Sequence, residues 1–140
     1  MTNASILMVD DEVDVCRIVH RMLTSQQYQL QTSQSVAEAV GAIDQKLFDL
    51  YILDFKLEDG CGLDIAERIR SRGSEAPIIL LSGCDTDSVA QRAKDLRILE
   101  IIKKPFSREM ILNAVQKATK SPELRWHDEN LLSPGEDLYP

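Results

Sequence analysis

The chain has 140 residues, of which 44% are hydrophobic and 28% charged, enough for one compact domain and a tail. Its net charge of −7 argues against this segment gripping nucleic acid or an anionic membrane, because both need a basic surface. The N-terminal stretch has no basic region before its apolar run, no stretch reaches bilayer-spanning length, and Cys16, Cys61 and Cys84 are odd in number and widely spaced. A cytoplasmic chain with reduced thiols is the expectation.

In chain order, residues 6–9 form a short apolar run that ends on Asp10, Asp11 and Glu12. Cys16, Val19 and Leu23 then recur on one face of a helix. Residues 28–32 form a weaker, alternating second strand. Ser35 and Glu38 read as a capping box opening a second helix, with Val36, Val40, Ile43 and Leu47 as its apolar stripe. The run at 50–53 ends on Asp54, and Leu63, Ala66 and Ile69 mark a third helix. The run at 78–81 ends on Ser82 and Gly83, followed by a fourth stripe of Val89, Ala93 and Leu96. The run at 98–102 ends on Lys103, Lys104 and Pro105, and Ile111, Ala114, Val115 and Ala118 form a fifth stripe. After about Thr119 the composition changes. Ser121-Pro122-Glu123 predicts a short helix over 122–132, before a loose end rich in proline and glycine.

Five apolar runs alternating with five helical stripes predict an α/β fold, an open doubly wound sheet of parallel strands with helices on both faces. Continuous apolar strands fit that burial. In such a sheet, whatever follows each run lies at the carboxyl edge, where ligands bind. Asp10, Asp11, Asp54, Ser82 and Lys104 would then share one crevice. Carboxylates brought together repel by roughly 4 kcal/mol per pair at 4 Å in a medium of intermediate polarity. A hard divalent cation answers that repulsion, and Mg2+ suits a site of few carboxylates, water and a phosphoryl oxygen. Asp54 would be the nucleophile toward phosphorus, with Lys104 offsetting the charge of the transferring group. Taken alone, Asp10 and Asp11 could merely open a helix, Ser82 could be a turn serine and Lys103 and Lys104 a solvated pair. Their joint order is what favours the shared site. His20, His127 and Trp126 have no comparable partners and read as surface or packing residues.

The acidic pair after the first run, the aspartate in YILDFKLEDGCG, the hydroxyl in IILLSG and the lysine in KKPF resemble the receiver domains of two-component response regulators. The resemblance covers roughly residues 4–120, which sets a receiver domain at 1–120 and a tail at 121–140. It implies a flavodoxin-like (βα)5 sheet ordered 2-1-3-4-5. It implies Asp54 as phosphoacceptor, Ser82 as switch hydroxyl and Lys104 as phosphate-binding lysine. It implies Mg2+ held directly by Asp11, Asp54 and the Lys56 backbone carbonyl, with Asp10 acting through water. A cis bond before Pro105 fits the family too.

Expected partners are a sensor histidine kinase or phosphotransfer protein, and a downstream effector or an output domain beyond residue 140; a homodimer is compatible. Such a chain is not an enzyme except toward its own phosphotransfer and acyl-phosphate hydrolysis. It departs from the family at Ile101, where an aromatic switch residue is common, and near Arg97, where glycine is usual. Lys56 and Cys84 stand where the family tunes acyl-phosphate lifetime. The alternatives are a pseudo-receiver that only binds partners, and a phosphatase with an aspartate nucleophile. Lys56 stands where the phosphatase would need its second acid.

Overall fold

A computed structural model describes residues 4–83 and 89–119, together with the backbone of residues 138–139. The elements are β1 (Ser5–Val9), α1 (Val13–Thr24), β2 (Gln29–Ser33), α2 (Val36–Gln45), β3 (Leu50–Asp54), β4 (Lys56–Leu57), β5 (Gly60–Cys61) and α3 (Gly62–Ser71). They continue with β6 (Ile78–Ser82), α4 (Ala90–Asp95), β7 (Glu100–Lys103), β8 (Phe106–Ser107), α5 (Arg108–Thr119) and β9 (Leu138–Tyr139).

Five strands form one parallel sheet in the order β2-β1-β3-β6-β7, the order the resemblance implies when the five long strands alone are counted. The apolar runs are continuous because both faces are covered. Side chains alternate across a strand. Ile6, Met8, Leu50, Ile52, Ile79 and Leu81 therefore pack with α1 and α5, through Val15, Val19, Leu23, Ile111 and Val115. Leu7, Val9, Tyr51, Leu53, Ile78 and Leu80 face the other way, toward Ala39 and Ile43 of α2 and Leu63, Ala66 and Ile69 of α3.

Several details differ from the sequence expectation. Ala39, Ala42 and Ile43 are the buried side chains of α2, while Val36 and Val40 are only half-buried. Small alanines let the helix lie close to the sheet. α2 ends at Gln45, Lys46 turns extended, and Leu47 is left exposed beyond the stripe expected for it. The chain then buries Phe48 edge-on against Tyr51. The fifth run enters the sheet as Glu100–Lys103, because Ile98 still closes the end of α4 with an N–H bond to the Ala93 carbonyl.

The helix expected over 122–132 lies outside the described residues. Where a loose end was expected, Leu138–Tyr139 pairs antiparallel with Phe106–Ser107. Among the described residues no helix is long and apolar enough to cross a membrane, and Cys16 and Cys61 carry free thiols.

Candidate functional site

The register of the sheet assembles the site. Val9 pairs with Leu53, Asp54 with Leu81, and Ser82 with Lys103. Asp10, Asp54, Ser82 and Lys104 are therefore each within about two residues of one rung. The chain leaves β1 toward β2 and leaves β3 toward β6, in opposite directions across the sheet, so a crevice opens at the carboxyl ends of β1 and β3.

Asp10 is fully buried. Its Oδ1 accepts the Glu12 N–H at 2.9 Å, so it also serves the start of α1, as the simpler reading required. Its Oδ2 meets Lys104 Nζ at 3.1 Å. The same ammonium lies 3.4 Å from Asp54 Oδ1 and 3.6 Å from Glu12 Oε1. The Lys104 backbone is tied to β6, its N–H donating to the Ser82 carbonyl at 2.7 Å; the Lys104–Pro105 bond is cis, as the resemblance implies. Asp54 is 5% exposed, and the N–H of the next residue, Phe55, donates to the Leu81 carbonyl at 2.7 Å.

One carboxylate oxygen from each of Asp10, Asp11 and Asp54 lies within 4.8 Å of the others. Three acids thus face one ammonium. The electrostatics register the imbalance. Burial, then the Asp10 charge, push the Asp54 carboxyl up to about 7 despite Lys104. Burial likewise raises Asp10. Burial opposes the charge on Lys104, but Asp10 and Asp54 outweigh it and hold the ammonium above its ordinary value. A cluster short of positive charge, built of hard oxygen donors, fits a divalent ion such as Mg2+.

A cleft of about 480 Å³ opens over these groups, lined by Asp11, Glu12, Asp54, Lys56, Leu57, Glu58, Gly83 and Lys104. Asp11 therefore faces the cleft while Asp10 lies beneath it. Lys56 lines the cleft from β4, the strand next along the chain from Asp54. Ser82 is fully buried below the rim made by Gly83. Cys84 lies outside the described residues.

Two residues escaped the sequence reading. Glu12 stands in the acidic triplet but was not assigned a place at the cleft. Gly62 touches the Asp54 backbone from α3, and nothing in a single sequence marks that approach.

The model of the response regulator receiver domain matches residues 6–116, and the chain belongs to that family. Over 111 residues, 79% of this chain and 57% of the relative, it is 31% identical to the acid tolerance regulatory protein ActR of Rhizobium meliloti. It is 29% identical to the nisin biosynthesis regulatory protein NisR of Lactococcus lactis, over 91% of this chain and 56% of that one. The chain therefore spans a little over half the length of these curated relatives. Among solved structures, the non-phosphorylated HemR receiver domain from Leptospira biflexa superposes with a TM-score of 0.77 at 27% identity, covering 82% of this chain and 93% of that one.

Family membership makes the chain a signalling module of two-component systems. Receiver domains generally bind Mg2+ at an acidic pocket and work with histidine kinases and output domains.

Proposed function

We propose that this chain is a phosphorylation-dependent receiver whose Asp54 accepts a phosphoryl group from the phosphohistidine of a sensor kinase or phosphotransfer protein. The observation that carries this reading is the single ammonium of Lys104 lying between Asp10 and Asp54, beside a cluster of three carboxylates. Lys104 is 14% exposed, so its charge is directed into the pocket rather than spent on solvent.

Asp11, Asp54 and the Lys56 backbone carbonyl would hold Mg2+, with Asp10 supporting it through water. The ion, when bound, supplies charge neutralisation for the transferring group. Asp54 then attacks phosphorus in line. An O–P bond forms as the P–N bond to the donor imidazole breaks, and the nitrogen leaves with the electron pair. Lys104 steadies the phosphoryl oxygens. Ser82 is the switch hydroxyl, and drawing it toward the new anion is the local event that a bistable element reads out.

Such a protein works in the cytoplasm. It acts as a catalyst only toward its own phosphotransfer and hydrolysis. Its output is a partner protein, or a domain beyond residue 140, with homodimerisation as one route. Ile101 is aliphatic, so the readout does not run through a swinging aromatic ring.

Incubation with acetyl phosphate and Mg2+ tests the reading by intact mass. Wild type should gain one phosphoryl group and Asp54→Ala none. Absence of the gain in wild type would instead support a module that only binds partners.

A further inference from the structure

α4 is six residues long, and Ala93 is its one fully buried side chain. Val89 and Leu96 at its two ends are only partly buried against the apolar cluster below. A helix this short has little stability of its own, so a few side-chain contacts decide where it sits. Arg70 of α3 holds the Leu96 and Arg97 carbonyls at the C-terminal end of α4, and Arg92 is the side chain of α4 that reaches α3. Its Nη2 lies 3.0 Å from Asp64 Oδ1 and 2.9 Å from Glu67 Oε2 on α3, and its Nη1 lies 3.8 Å from Cys61 Sγ.

Those partners lead back to the site. Asp64 Oδ2 accepts the Cys61 N–H at 3.0 Å, capping α3. Cys61 pairs with Lys56 in the β4–β5 hairpin, and the Gly62 N–H donates to the Phe55 carbonyl at 2.8 Å. On its own side, Arg92 follows Ser82 by ten residues in the chain. Arg92 thus bridges the segment that leaves Asp54 and the segment that leaves Ser82.

We propose that Arg92 is a positioning residue whose paired carboxylates, Asp64 and Glu67, hold α4 against α3 in the unphosphorylated arrangement, so that this bridge sets how readily Asp54 is phosphorylated. The proposal rests on the phosphoacceptor reading above. Contacts of 2.9 to 3.0 Å favour the arrangement in which α4 lies against α3, and a phosphorylated arrangement that moves α4 away from α3 gives them up. Exposed ion pairs are individually weak, but a two-state element responds to their full difference between states. A bridge to two carboxylates of this kind corresponds to a rate change of about 3- to 5-fold.

The test uses the full chain, Mg2+ and acetyl phosphate, with the rate of mass gain as readout. Arg92→Ala should react about 3- to 5-fold faster than wild type. The double substitution Asp64→Asn with Glu67→Gln should match it, since asparagine keeps an acceptor for the Cys61 N–H while the charges go. Combining all three changes should add nothing further. Raised ionic strength should narrow the gap between wild type and Arg92→Ala.

All three side chains are at least 40% exposed, so the variants keep the fold. An Arg92→Ala rate equal to or below that of wild type, or an additive effect in the triple variant, overturns the bridge while leaving the phosphoacceptor reading intact. A wild type that gains no mass removes both.

Discussion

Gly62 matters because it has no side chain. A Cβ there would lie 2.5 Å from the Asp54 carbonyl oxygen and 3.0 Å from Leu80 Cδ1. The first of these is backbone, so it cannot swing aside. Gly62→Ala must displace either the start of α3 or the strand end that carries the nucleophile. Overpacking of this kind costs roughly 1–3 kcal/mol, and urea unfolding should show that loss. A misplacement near 1 Å can cost about 100-fold in rate, so mass gain with acetyl phosphate should also slow by at least about 10-fold. Normal phosphorylation in a destabilised variant would show that Gly62 serves packing alone.

The same scale separates what could be read in advance from what could not. Asp54, Ser82 and Lys104 each end an apolar run, so their shared edge follows from alternation and parallel pairing. Asp10 was also legible, although its double duty toward the Glu12 N–H and Lys104 needed coordinates. Gly62 and Arg92 act through contacts between segments that no local pattern encodes.

Helix ends show a related limit at the level of elements. α1, α3 and α4 all close with a left-handed residue, at Gln27 (φ 70°), Gly73 (φ 84°) and Arg97 (φ 58°). After α4, the Arg97 N–H donates to the Lys94 carbonyl and the Ile98 N–H to the Ala93 carbonyl, both at 3.0 Å. This is the Schellman arrangement, in which glycine is preferred. Only Gly73 is the residue type this position prefers; Gln27 and Arg97 adopt it because their tertiary setting overrides their own preference. The Arg97 carbonyl also accepts from Arg70 Nη2 at 3.1 Å. Arg70 further donates to the carbonyls of Leu96, Ser74 and Ala76 and so fixes the turn independently of the Arg97 side chain.

Arg97→Gly should therefore stabilise the fold. The relief of a left-handed side chain, about 1–2 kcal/mol, exceeds the added freedom of the unfolded chain, about 0.4–1 kcal/mol. The net gain of about 0.5–1 kcal/mol is measurable as a higher urea midpoint with an unchanged slope.

Another element-level tie starts from the β4–β5 turn. Asp59 accepts the N–H groups of Val36 and Ala37, at 2.8 and 3.1 Å, and so caps α2 from outside its own sequence. Those bonds hold the Asp59 carboxyl below its ordinary value. The cap is at full strength above the ordinary aspartate range and is lost as acid takes the pH down through the lowered value. Ser35 completes the same helix start by accepting the Glu38 N–H at 3.1 Å, as the sequence indicated, while the Glu38 carboxylate accepts the Gln34 N–H at 2.9 Å in place of Ser35's own.

Across the whole molecule, four strand ends from distant parts of the chain converge on one cleft, and no single segment holds the chemistry. The clustered carboxylates of Asp10, Asp11 and Asp54, with the Lys104 ammonium against two of them, are short of positive charge, so phosphoryl acceptance should depend on a divalent ion. The direct measurement is to treat the protein with acetyl phosphate, with and without Mg2+, then reduce with borohydride, which converts an aspartyl phosphate to homoserine, and map the product by peptide mass. The account predicts homoserine at position 54 alone, and only with Mg2+. Homoserine at another aspartate, or equal conversion of Asp54 without the ion, would contradict it.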